Sequence, residues 1–118
     1  MIKDLEIREE KIIYSKVTGE LQKGDIKKMH PLIHQLIEKD NKIRWYFEMV
    51  DFEGWDLKGF YEDVKMDASH ANDYEKIAMV GDKKWEDMLA KAMKPFTTAE
   101  VKFFELNQKD MAWEWIRS

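Results

Sequence analysis

Apolar positions along this 118-residue chain change their period several times, and each change marks an element. Residues 5–8 and 12–18 read as two strands separated by Glu9-Glu10-Lys11, which predicts an antiparallel hairpin closed by Gly19. From Asp25 the spacing turns helical. Ile26, Met29, Ile33, Leu36 and Ile37 recur at three- and four-residue steps, with Asp25 in the N-cap position and residues 40–41 at the end. Pro31 falls inside that pattern, where it lacks a donor and crowds the preceding turn, so a kink or a distorted first turn is expected. The run at 43–50 (IRWYFEMV) is a buried strand, and 51–56 (DFEGWD) reads as a tight turn that feeds a helix. On that helix Leu57, Phe60, Tyr61 and Val64 fall at i, i+3, i+4 and i+7.

Residues 69–73 are polar and turn-like, and 77–80 form a short apolar strand ended by Gly81-Asp82. Trp85, Met88, Leu89 and Ala92 then make a second helical stripe, which Pro95 ends. Residues 101–106 read as the last strand. Asn107 is placed to cap a final helix, with Asp110 in the capping-box position. On this helix Met111, Ala112, Trp115 and Ile116 share one arc, whereas Trp113 points elsewhere. Its ring suits a dimer contact, a membrane interface or a neighbouring segment of the same chain. Strands alternating with helices of about a dozen residues predict an α/β fold built on right-handed crossovers. The expectation is one domain over 1–118, a mixed and mostly parallel sheet of about five strands flanked by helices.

Composition narrows the function classes. A net charge of −4 gives no basic face for phosphate neutralisation, so nucleic acid is not an expected partner. Cysteine is absent, which removes disulfides and thiolate chemistry. The amino terminus lacks the apolar core of a signal peptide, and no apolar run approaches the roughly 18 residues that span a bilayer. A cytoplasmic protein is expected, with contact to a membrane surface still open to it.

The candidate chemistry is thin. His30 and His34 stand i, i+4, but Pro31 disturbs their helix and no third ligand joins them, so no metal is expected. Asp51, Glu53 and Asp56 cluster near a strand end without a paired histidine, nucleophile or phosphate loop, and a solvated turn explains them better than catalysis. Gly81-Asp82-Lys83-Lys84 opens a helix after a strand, yet it lacks the glycine spacing of a nucleotide loop. Asp82 reads as an N-cap there. No catalytic residue and no cofactor are expected.

Three segments in order, 50–56 (VDFEGWD), 77–85 (IAMVGDKKW) and 95–101 (PFTTAEV), resemble the successive signatures of the bacterial SpoIIAA-like proteins, of the STAS and CRAL-TRIO structural group. The resemblance implies a sheet flanked by helices, a homodimer and no enzymatic activity. The group's branches point two ways, to anti-sigma factor antagonists switched by serine phosphorylation and to lipid carriers. The position matching the antagonist serine is Glu53, which cannot be phosphorylated and permanently supplies part of a phosphate's charge.

The lipid branch draws on five Trp, six Phe and eight Met, soft bulk suited to an adaptable pocket. It makes residues 54–72 a mobile lid and Met29, Ile33, Trp55, Phe60, Tyr61 and Val64 the residues that meet a nonpolar ligand, where plain core packing is the rival explanation. The expected function is therefore a non-enzymatic binding module for a nonpolar ligand or a membrane surface. The alternative is a regulatory module that engages another protein through Asp51, Phe52, Glu53, Gly54 and Asp56.

Overall fold

The computed structural model describes residues 2–21, 24–39, 42–55, 73–85 and 99–118. Its centre is a five-stranded sheet in the order β1-β2-β3-β4-β5. The strands are β1 (Ile2–Arg8), β2 (Ile12–Leu21), β3 (Ile43–Trp55), β4 (Tyr74–Gly81) and β5 (Glu100–Glu105). Only the first pair is antiparallel; β2 to β5 run parallel. The mixed, mostly parallel α/β sheet expected from the sequence is the one observed.

Among the described residues two helices, α1 (His30–Ile37) and α2 (Lys109–Arg117), cover opposite faces. Residues adjacent along the strands explain the division, because successive side chains point to opposite sides. Ile13, Trp45, Phe47, Ile77 and Met79 pack with Met29, Ile33 and Leu36 of the α1 side. Ile12, Tyr46, Ala78 and Val80 pack with Ala112 and Ile116 of α2. Strands covered on both faces read as continuous apolar runs, and this is why 43–50 and 77–80 were legible.

The hairpin turns through Glu9 and Glu10, at φ +52° and +64°, and Lys11 N–H donates to the Arg8 carbonyl at 3.3 Å. Positive φ at both central residues is the type I′ geometry, which matches strand twist but usually recruits Asn and Gly. Gly19 does not close this hairpin as expected. It lies within β2 at φ +62°, and the strand runs on to Leu21.

Pro31 acts through the start of α1. A 3-10 turn (Ile26–Met29) precedes the helix, and Pro31 occupies its first turn, where the missing N–H costs nothing. Asp25 does not cap as expected: its side chain makes no capping hydrogen bond and meets Lys28 Nζ at 3.4 Å. At the other end the cap lies two residues before Asn107. Gln108 Oε1 accepts from Glu105 N–H at 3.0 Å, and Glu105 returns the bond to complete a capping box around residues 106–108. On α2, Met111 is 61% exposed and leaves the expected arc, while Trp113 lies against Tyr14 and Tyr46 of the same chain.

Candidate functional site at the carboxyl edge of the sheet

Ligands of open α/β sheets meet the carboxyl ends of the parallel strands. Here that edge is dominated by β3. Residues 51–55, expected as a turn into a helix, are a continuation of the strand to Trp55. The reason lies in the register. Val17 pairs with Met49 and Gly19 with Phe52, so β3 spends one residue more than β2; Glu20 then pairs with Gly54, which inserts another. Asp51 takes up the first extra residue at φ +51°, and Gly54 sits at φ +114°. Such bulges re-aim side chains at a strand end.

The consequence is specific. Met49 and Phe52 lie three residues apart, a spacing that puts them on opposite faces of a regular strand, yet both belong to the core on the α1 side. Asp51 and Glu53 face solvent, while Phe52 and Gly54 are buried. Phe52 meets Trp85 edge-on at 5.1 Å, and a Cβ on Gly54 would come within 3.4 Å of Trp85 Cη2. Trp85 arrives there because Asp82 follows β4 as a cap: Lys84 N–H donates to Asp82 Oδ1 at 3.0 Å and Trp85 N–H to the Asp82 carbonyl at 3.0 Å. Alongside, Gly81, Asp82, Lys83, Glu105, Leu106 and Asn107 line an open depression of about 270 Å3.

This edge therefore gathers Asp51, Phe52, Glu53 and Gly54 of the expected partner loop; Asp56 lies outside the described residues. Met29 and Ile33 lie in the α1-side core, 1% and 0% exposed. Phe60, Tyr61, Val64 and the side chain of Trp55 fall outside the described residues, as does nearly all of the expected lid. The stripe residues Met88, Leu89 and Ala92 do so too. His30 and His34 face each other with ring centroids 6.4 Å apart. Among the described residues no three His, Cys, Asp or Glu side chains gather as a metal site. What sequence reasoning missed at this edge is the pairing of Trp85 with Phe52 and Gly54. The helical spacing of Trp85 with Met88 hid it.

The family model described as SpoIIAA-like matches residues 12–117. The chain belongs to the SpoIIAA-like family. Its structure is similar to the crystal structure of an uncharacterized protein of the DUF3478 family, with a SpoIIAA-like fold, from Shewanella loihica PV-4. The two share 22% identity at a TM-score of 0.72, over 98% of this chain and 92% of the other. That likeness shows the fold. No curated protein gives a significant match. SpoIIAA-like membership makes the chain a STAS-type module. No helix among the described residues is long and apolar enough to cross a membrane.

Proposed function

We propose that this SpoIIAA-like protein is a non-enzymatic binding module that holds a protein partner on the carboxyl edge of its parallel strands, through Asp51 to Gly54. The observation that supports it is the doubly bulged end of β3, which anchors Phe52 in the core while presenting Asp51 and Glu53 to solvent. A left-handed aspartate costs free energy that regular pairing would avoid, and such positions concentrate where a surface is used. The neighbouring depression is shallow and open, a shape that suits another protein better than an enclosed small molecule. Because Glu53 carries its charge permanently, the contact is constitutive and not gated by phosphorylation at that position.

Crosslinking with mass spectrometry in a lysate of the source cells tests this, comparing the wild-type protein with Asp51→Lys/Glu53→Lys. The expected result is a partner captured by the wild type, crosslinked near residues 51–54 and lost from a folded double variant. Native mass spectrometry of the same preparation counts subunits and reports any bound apolar compound. Capture unaffected by the double variant, together with an extractable apolar compound, would replace this reading with binding of a nonpolar ligand.

A further inference from the structure

Away from the strand-end edge, on the face that carries α2, three aromatic rings and one arginine form an arrangement that the partner-binding reading does not use. Tyr14 of β2 and Tyr46 of β3 are cross-strand neighbours whose rings stack 5.3 Å apart and 10° from parallel. Trp113 of α2 stands nearly perpendicular to both, at 6.4 Å from Tyr14 and 5.4 Å from Tyr46. The outer face of Tyr14 and the ring of Trp113 make a two-walled corner. Arg8 of the edge strand fills it, its Cζ 3.6 Å from the Tyr14 centroid and 5.6 Å from that of Trp113.

The surroundings favour positive charge. Glu48, 5% exposed, accepts the Tyr46 hydroxyl at 2.8 Å behind the stack. Burial raises the Tyr14 pKa, and the charges of Glu48, Asp4 and Glu6 raise it further against the opposing pull of Arg8. Three carboxylates thus act on Tyr14 against the one cation Arg8, and Lys16 is paired in register with Glu48. Arg8 itself is held by groups that solvent reaches. Its other tether is Glu6, whose Oε1 accepts from Arg8 Nε at 2.9 Å and meets Nη2 at 2.7 Å, and the two side chains are 41% and 54% exposed. Exposed ion pairs contribute little, and a cation–π contact at an exposed site adds only modestly to them.

We propose that the corner formed by Tyr14 and Trp113 is a binding site for a small organic cation of the guanidinium class, which Arg8 occupies in the free protein as a tethered competitor. A ligand that brings its own guanidinium takes over the ring face of Tyr14, and Arg8 swings out along its edge strand toward solvent. Because the resident side chain blocks the site for most of the time, the apparent affinity of the wild type is lowered by the fraction of protein in which the corner is open.

A ligand-observed NMR titration with methylguanidinium tests this, with methylurea as the uncharged shape mimic. Arg8→Ala is expected to bind methylguanidinium roughly tenfold more tightly than the wild type, since it removes the competitor, and methylurea is expected not to bind. Adding Tyr14→Leu to Arg8→Ala should abolish binding. Should that double variant not fold, Arg8→Ala/Trp113→Leu makes the same test from the other wall. A short peptide with one central arginine separates the two sources of the cation. Competition by the peptide assigns the site to a partner's side chain, and binding of methylguanidinium alone assigns it to a free molecule. The proposal is overturned if Arg8→Ala binds methylguanidinium no better than the wild type, if methylurea binds equally, or if loss of either ring wall leaves binding intact.

Discussion

Asp51 is the residue through which the geometry of the β3 end can be tested most directly. Its φ of +51° is a conformation that costs an ordinary L-residue about 1–2 kcal/mol, that aspartate tolerates better than most, and that a β-branched residue almost never adopts. Two substitutions at this exposed position therefore diverge. Asp51→Gly removes the steric cost but brings a more flexible unfolded chain, worth roughly 0.5–1 kcal/mol in the opposite sense, so stability should stay within about 1 kcal/mol of the wild type. Asp51→Val keeps the backbone demand and adds the crowding of a branched side chain, and should lose about 1–2 kcal/mol. With an m-value of about 1–3 kcal/mol/M, urea unfolding followed by tryptophan fluorescence should place the Val midpoint roughly 0.3–2 M below that of Gly. The m-value itself should not change, because neither variant alters how much surface folding buries. A Val variant whose midpoint equals or exceeds that of Gly would mean that residue 51 is not left-handed and that the first bulge does not exist.

The same reasoning predicts that Glu10→Gly, at φ +64° in the hairpin turn, stabilises the protein by roughly 0.5–1 kcal/mol in the same urea assay. Arg44 is buried and donates to the Ile116 carbonyl at 2.8 Å and to Glu75 Oε2 at 3.0 Å, so Arg44→Met should cost about 1–3 kcal/mol by leaving a buried carbonyl unpaired. The hydrogen bond from Arg44 holds Glu75 below the ordinary glutamate value of 4.5, with burial opposing it. Its contribution is therefore present above that value and lost as pH falls further, and Glu75→Gln should flatten the acid side of a stability–pH profile. Tyr46 behaves in the opposite sense. Burial, then the bond to Glu48, raise its phenol far above the ordinary value of 10, so stability is full below that value and declines as pH rises past it; Tyr46→Phe should make the alkaline decline shallower.

Most of the sheet was legible because its signals are local. The hairpin followed from two short apolar runs around a polar triplet, and the central strands from runs that both faces bury. Pro31 signalled a distortion near the helix start, although the helix expected from Asp25 begins only at His30, since only a first turn accommodates proline without loss. The end of β3 was hidden for a physical reason. A bulge breaks the period of two, so Met49 and Phe52 lose the alternation by which a strand is recognised, and Gly54 then imitates a turn. The same device operates at β4, where Ile43 pairs with Tyr74 and Arg44 with Lys76; the extra residue, Glu75, lets Tyr74 and Ile77 share one face. The cap of the last helix was misplaced because Glu105 still belongs to β5, where a strand residue is not expected to serve a helix. Trp113 was unreadable from helical spacing alone, since its partners Tyr14 and Tyr46 are distant in sequence.

These misreadings fall where the chain departs from regular geometry, and that coincidence bears on function. A strand that only needed to pair could end at Val50, after the last regular contact with β2 at Met49. Instead β3 inserts two unpaired residues, accepts a left-handed aspartate and sets Phe52 against Trp85 to hold the extension down. The anchoring is one-sided: the buried residues of this stretch, Phe52 and Gly54, face the core and Trp85, whereas the inserted acids face outward. Removing the anchor should therefore separate the two roles. Phe52→Ala deletes a ring that is 6% exposed and should cost about 3–5 kcal/mol. Asp51→Lys/Glu53→Lys leaves Phe52 in place and should cost about 1–2 kcal/mol at most, nearly all of it at the left-handed residue 51, where lysine lacks aspartate's tolerance. If partner capture follows the carboxylates and stability follows Phe52, the bulged segment is a surface held out by its own core residue. If the charge reversal unfolds the protein instead, the two acids are part of the scaffold, and the carboxyl edge loses its claim as the partner site.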